Sequence, residues 1–357
     1  MPKPNKTSIH RYAATRLLNW YDINRRLLPW RAGPGEEPNV YHVWLSEIML
    51  QQTKVATVLS YYLNFLHKWP TLTDLATATR QNVLQAWAGL GYYARARNLH
   101  ACAQIVMEKY GGTFPKTEKE LLRLPGIGHY TAAAIVAIAH GQPSVVVDGN
   151  VERVVSRIFQ ITQPIPLSRP TLRQLAAGLT PSKRPGDYAQ AIMDLGSLVC
   201  TPRKPKCNVC PLHDICLANI SGTPSDFPKR TPRKKKQRRY GVVYWIERRD
   251  GAIILRQRPE NGIFGGMTEI PGSLWKASPL SRHSIHSQAP ISADWKPHPG
   301  RVYHSFTHFD LELKIMTINS EVTPEGTFWC RKEEVKAQAL PSLMHKIMTH
   351  MYKARNA

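Results

Sequence analysis

Acidic residues are scarce in this 357-residue chain: 25 aspartates and glutamates face 48 lysines and arginines, giving a formal charge of +23 and a pI near 9.9. An excess of that size points to a polyanionic partner, most simply nucleic acid; a membrane surface is the weaker alternative. Long apolar runs are missing too. The longest, Ala132 to Ala139, falls far short of the ~20 residues that span a bilayer. The opening MPKPNKTSIHR has no apolar core of a secretory signal. A soluble intracellular protein with no membrane contact is expected. Cysteine is rare: six residues in this length are too few for a disulfide scaffold. Period-two patterning is absent from the first 220 residues, which read as helical with no internal repeat.

What is present centres on Leu124 to Arg153, LPGIGHYTAAAIVAIAHGQPSVVVDGNVER. Pro125-Gly126-Ile127-Gly128 cannot continue a helix, so a tight turn joins two helices there. Thr131 to Ala139 then reads as a buried helix, apolar on all sides. A bare Gly-x-Gly turn at a helix N-terminus presents backbone N–H groups, a cradle for phosphate. An ordinary helix–turn–helix connection is the competing account. An isolated acid, Asp148, follows, and a helix is expected over 151–159.

Upstream, residues 8–28 read as an amphipathic helix ending at Leu28-Pro29-Trp30-Arg31. Residues 41–69 read as a long helical stretch broken near Gln51–Lys54. Val43, Glu47 and Leu50 share one face of it, so Glu47 sits among apolar neighbours. Desolvation there would raise its pKa until it can donate a proton; a half-exposed carboxylate is the plainer reading. Gln51-Gln52-Thr53 caps the stretch or probes bases. Residues 71–88 are one helix or two. Gly89-Leu90-Gly91-Tyr92-Tyr93 is a second glycine turn, with arginines behind it, whose tyrosines either pack or wedge into a base stack. A short helix over 116–123 and further helices over 171–179 and 186–199 complete this part.

Cys200, Cys207, Cys210 and Cys216 form a C-x6-C-x2-C-x5-C set within 17 residues. Four thiolates this close point to metal. Zinc and an iron–sulfur cluster both accept them, and spacing does not choose. Cys102 and Cys330 stand apart. Eight lysines and arginines lie between Lys229 and Arg239, a basic linker that would add salt-sensitive affinity for DNA. From Tyr240 the pattern turns to short strands. A hairpin is expected around Asp250-Gly251, a glycine-rich loop and strand over 262–272, a second hairpin over 302–315, and helices over 331–338 and 341–353.

LPWR, SEIMLQQT, GLGYYARARNLH, LPGIGHYTAAA, VDGNVERV and the four-cysteine loop occur here in the order seen in the helix–hairpin–helix DNA glycosylases. The first 220 residues closely resemble the adenine DNA glycosylases of the MutY family, and the rest resembles that family's Nudix-like C-terminal domain. The implied fold is multidomain: an all-α helix–hairpin–helix glycosylase region over 1–222 with a [4Fe–4S] loop, a linker over 223–239, and an α+β Nudix-like domain over 240–357. The implied activity is monofunctional removal of adenine mispaired with 8-oxoguanine or guanine, in base excision repair, after the base is flipped from the duplex. The implied partner is double-stranded DNA carrying that lesion, met by a monomer in a cytoplasmic, nucleoid-associated setting. By the same resemblance Glu47 protonates adenine N7 and Asp148 stabilises the oxocarbenium-like sugar or bonds to it, supported by Tyr130 and Asn150. Arg31 and Gln190 line the base pocket. Gln52, Leu90 and Tyr92 work in the stack around the lesion. Gly126 and Gly128 hold phosphate, and Cys200, Cys207, Cys210 and Cys216 hold one [4Fe–4S] cluster.

Three departures sharpen these expectations. The strand-cleaving endonuclease III branch carries a lysine where this chain has Tyr130, so no Schiff base is expected there. The family's lesion-reading Phe-Ser-His turn is Phe306-Thr307-His308 here, which keeps the hydroxyl and adds a methyl. After Gly272 the chain reads SLWKASPLSRHSIH, without the acidic cluster of a working Nudix hydrolase, so no pyrophosphatase activity is expected.

Overall fold

The computed structural model describes residues 6–232 and 235–353; Arg233 and Lys234 of the basic linker lie outside them. The chain divides into two compact units, 1–76 with 101–233, and 77–100 with 234–357.

The helices run in order α1 (Lys6–Asn24), α2 (Val40–Leu50), α3 (Val55–Lys68), α4 (Leu72–Thr77), α5 (Arg80–Trp87), α6 (Ala94–Tyr110), α7 (Glu118–Leu121), α8 (His129–His140), α9 (Gly149–Ile158), α10 (Arg169–Leu179), α11 (Pro185–Leu198) and α12 (Leu217–Ile220). Among the described residues no strand precedes Gln237. The helix expected over 8–28 stops at Asn24, whose side chain turns back to donate to the Trp20 carbonyl at 2.9 Å. The stretch over 41–69 is two helices, parted where Gln52 takes φ +58°. The stretch over 71–88 is also two, since the Thr79 hydroxyl caps α5 through Asn82 N.

In the first unit one core gathers Leu17 of α1, Val154 and Val155 of α9, Leu172 of α10, and Ile192 and Leu195 of α11. A second packs Val43 of α2 and Ala189 of α11 against Ala133, Ala134 and Ala137 of α8. The small side chains of α8 let both neighbouring helices close in, and α2 and α11 carry the residues that line the cleft described below.

The second unit, besides α5 and the start of α6, holds one mixed sheet. Its strands are β1 (Gln237–Glu247), β2 (Ile253–Gln257), β3 (Thr268–Glu269), β4 (Lys296–Pro297), β5 (Val302–Ser305), β6 (Phe309–Asn319) and β7 (Thr327–Cys330). The order is β3-β2-β1-β6-β4, with β5 also on β6 and β7 also on β2. β1 and β6 run parallel in register from Gln237↔Phe309 to Glu247↔Asn319. β1 alternates across the sheet. Val243 and Trp245 face the core with Leu343, Ile347 and Met351 of α14 (Ser342–Lys353). Val242, Tyr244 and Ile246 face Trp295 and Ile285 of α13 (Arg282–Ser287). Buried Glu269 is neutralised by Arg256 at 2.8 Å and by Arg258.

Both expected hairpins form, around Gly251 (φ +83°) and between β5 and β6. The helix expected over 331–338 does not. That segment has only a 3₁₀ turn at Glu334–Ala337, and β7 lies just before it. β4, β7, α12 and α13 span six residues or fewer each, too short for an apolar period to register.

Candidate active site

A cleft of about 730 Å³ opens in the first unit. Glu47, Tyr130, Asp148, Asn150, Arg31, Gln190 and Gln52 all line it, so seven expected site residues from five separate sequence segments come together. The apolar face of α2 carries Glu47 inward, 6% exposed, and its Oε2 has no hydrogen-bond partner. Burial pushes its pKa up to about 7, and Asp148 adds to the rise against Tyr130 and Arg31. The Tyr130 hydroxyl stands beside that carboxyl and donates to Met193 Sδ at 3.1 Å.

Asp148 is held differently. It is the N-cap of α9: Oδ1 accepts from Asn150 N at 2.8 Å and Val151 N at 2.7 Å, and Oδ2 accepts from Asn150 Nδ2 at 2.7 Å. Burial raises its pKa too, opposed by these donors and by Arg153. A helix N-terminus and three N–H groups favour the anion. Burial thus raises both acids, opposed at Asp148 by three N–H donors and at Glu47 by the Tyr130 hydroxyl and Arg31. Asn150 is itself fixed, accepting from Arg153 Nη2 at 2.9 Å. Only glycine fits at Gly196 opposite it, because a Cβ there would lie 2.6 Å from Asn150 Cβ. Gln190 is buried and bonds within its own helix, to Gly186 O at 3.4 Å.

The glycine hairpin needs its left-handed residue at Gly126 (φ +77°). Gly128 is extended and caps α8 without any side-chain bond, leaving that helix's first N–H groups without a side-chain acceptor. Sequence reasoning named Gln51 without its partners and missed the role of Asp194. Gln51 donates to Gly126 O at 3.3 Å and Thr131 Oγ1 at 3.2 Å, tying the Gln-Gln-Thr turn to the hairpin. Asp194 on α11 accepts from both Arg26 and Arg31. Neither carries a spacing signal, since each partner is far away in sequence.

The remaining expected residues belong to the second unit. Phe306, Thr307 and His308 form the tight turn between β5 and β6, closed by Phe306 N to Phe309 O at 2.9 Å, with Thr307 and His308 exposed at its tip. The Phe306 ring stacks on Phe309 with centroids 4.6 Å apart. Leu90 is buried. Tyr92, half-exposed at φ +49°, shares a 2.8 Å hydrogen bond between its hydroxyl and that of Thr307.

Cys200, Cys207, Cys210 and Cys216 form no disulfide with one another. The Cys210 thiol is pushed up to about 12, by burial first and by each of the other three thiols, against the backbone N–H of Leu212. Arg157, fully buried, donates to Cys200 Sγ at 3.2 Å and to Thr201 O at 2.8 Å. A buried cation beside thiols that sense one another suits a thiolate-held group.

The sequence pattern of the HhH-GPD superfamily of base excision DNA repair proteins matches residues 45–179. That of a NUDIX domain matches 242–350, and that of the iron–sulfur binding domain of endonuclease III matches 200–216. The adenine DNA glycosylase of Homo sapiens is 37% identical over 93% of this chain and 72% of its own length. That of Buchnera aphidicola subsp. Baizongia pistaciae is 36% identical over 94% and 96%. The chain belongs to the adenine DNA glycosylase family. Among solved structures, a thermostable thymine-DNA glycosylase is 29% identical, with a TM-score of 0.54 over 60% of this chain and 98% of its own. Five of the seven cleft residues, Glu47, Gln52, Tyr130, Asp148 and Asn150, fall inside the matched stretch 45–179, and the cysteine loop is the matched iron–sulfur stretch 200–216. Among the described residues no helix is long and apolar enough to cross a membrane.

Proposed function

We propose that this member of the family removes adenine opposite 8-oxoguanine from double-stranded DNA, as a monofunctional glycosylase. The observation that carries the reading is the pairing in one cleft of a buried acid with pKa about 7, Glu47, and an acid held by three N–H donors, Asp148. The glycosidic bond is out of reach inside a base stack, so the adenine is flipped into the cleft. Glu47 then delivers its proton to adenine N7 and turns the base into a neutral leaving group. Asp148, kept anionic by Asn150 and Val151, stabilises the positive charge that grows on the sugar, or bonds to it until water attacks. Arg31 and Gln190 face the base, and Tyr130 steadies the two acids.

Gly126, Gly128 and the start of α8 hold backbone phosphate, while Gln52, Leu90 and Tyr92 fill the stack. The turn Phe306-Thr307-His308 reads 8-oxoguanine, which assigns 1–222 to excision and 240–357 to lesion recognition, joined by the basic linker 223–239. The four cysteines hold one [4Fe–4S] cluster, which when bound cross-links the basic loop 200–216. The protein works as a monomer, in a cytoplasmic, nucleoid-associated setting.

The test uses labelled duplexes with A opposite 8-oxoguanine, A opposite G, T opposite G, or thymine glycol, each with and without hot alkali. Strand breakage only after alkali, fastest for A opposite 8-oxoguanine, is expected. Breakage without alkali, or preference for either pyrimidine substrate, refutes the reading.

A further inference from the structure

Asp194 stands on α11 one turn past Gln190, next to Met193, and its side chain is 0% exposed. Both oxygens are occupied. Oδ1 accepts from Arg26 Nε at 2.6 Å and Arg31 Nη2 at 2.9 Å. Oδ2 accepts from Arg31 Nη1 at 2.7 Å and from the Arg26 backbone N at 3.3 Å. The partners come from the segment after α1, and four of its residues, Arg26, Leu28, Trp30 and Arg31, line the cleft beside Glu47. One carboxylate therefore fixes one wall of the cavity.

We infer that Asp194 is a positioning residue for excision: its buried carboxylate clamps Arg26 and Arg31, holding segment 26–31 as a cavity wall and neutralising the Arg31 guanidinium before it can act on Glu47. The inference rests on the reading of Glu47 as the proton donor. The charged and titratable groups facing Glu47 are Tyr130, Asp148 and Arg31, and of these Arg31 has the least influence on it. Those facing the clamp are Arg26 and Arg31, with the Tyr21 ring 6.0 Å from the Arg31 guanidinium. Burial opposes the Asp194 charge, yet the two guanidiniums hold its pKa below the usual carboxylate range. An arginine without that counter-charge would act on the nearby carboxyl as any close cation does and favour its ionised form.

Single-turnover excision of adenine opposite 8-oxoguanine, measured against pH with saturating protein, tests this. Asp194→Asn keeps the side chain's shape and removes its charge. The alkaline limb of its profile should move to lower pH by about one unit, the low end of what a close cation does to a carboxyl. A purely structural role would lower the rate at every pH and leave the limb in place. Arg31→Met removes the cation with its counter-charge still engaged by Arg26, so its limb should stay within a few tenths of a unit of wild type. Asp194→Asn/Arg31→Met should bring the limb back to the wild-type position even though the plateau falls. An unmoved limb in Asp194→Asn, a limb raised by a unit in Arg31→Met, or a double variant still shifted would each overturn the inference. Where Asp194→Asn does not accumulate as folded protein, Arg31→Met decides it by the same criterion. Glu47→Gln runs alongside. If it still excises adenine, the reading of Glu47 is wrong; if it is inactive and the limbs do not move as stated, only the clamp is wrong.

Discussion

Replacing Glu47 by glutamine tests the buried acid without reference to any substrate. The carboxyl is 6% exposed and burial lifts its pKa from 4.5 to about 7. The folded protein thus binds this proton more tightly than the unfolded chain does. Below the unfolded value both states are protonated and the site costs nothing electrostatically. As pH rises from about 4.5 to about 7 the unfolded chain releases the proton first, so folding stability is lost across that window and the loss is complete above it. At about 1.4 kcal/mol per unit, a rise of that size amounts to roughly 3 kcal/mol. Glutamine has the same shape and cannot ionise. Its own packing and hydrogen-bond effects do not depend on pH and cancel in a difference taken across pH. The stability of Glu47→Gln minus that of wild type should therefore climb by roughly 3 kcal/mol between about pH 5 and about pH 8. Urea midpoints of both proteins, with iron content checked at each pH, measure it. A difference flat to within about 0.5 kcal/mol over that range would mean that water reaches the carboxyl and that it is no poised proton donor.

Further tests follow from the same geometry. Gly196→Ala would drive a methyl into Asn150, 2.6 Å from its Cβ; excision should fall at least tenfold, with a stability loss of about 1–3 kcal/mol seen in the urea midpoint. Thr307→Ala removes the hydroxyl bonded to Tyr92; the rate ratio for A opposite 8-oxoguanine over A opposite G should drop by about fivefold, the value of one hydrogen bond, while Thr307→Ser should keep it. Arg157→Met strips the buried donor from Cys200 Sγ and from the Thr201 carbonyl. Purified protein should carry less iron per chain and unfold in less urea, by about 2–4 kcal/mol, because Cys200 Sγ and the Phe227, Thr201 and Pro202 carbonyls lose their charged donor.

The parts of the site that were legible in the sequence are those that act through local chemistry. Asp148 could be read as an isolated acid just ahead of an expected helix, and the structure makes it that helix's N-cap. Glu47 could be read because the 3.6-residue period of α2 turns it inward with Val43, and burial on that face raises its pKa. The four cysteines could be read from spacing. The helices over 1–220 and both hairpins followed from period and turn residues. The misses share another cause. β4 and β7 are held by partners more than ten residues away, Lys296 by Thr317 and Trp329 by Ile254, and strands this short carry no period of their own. Asp194 pairs with residues 163 and 168 positions away, so nothing near it in sequence distinguishes it from any helical aspartate.

That distinction bears on how the cleft works. Glu47 and Asp148 are set by local rules, one on a helix face and one at a helix start. What makes them a pair is long-range: Gly196 lets α11 approach Asn150, Met193 receives the Tyr130 hydroxyl, and Asp194 pins the segment carrying Arg31. All three sit on one helix within four residues. α11 holds the acid pair together, and its Gln190, Met193 and Ser197 line the cleft. Substitutions along that face should therefore change the rate and its pH dependence more than they change affinity for DNA.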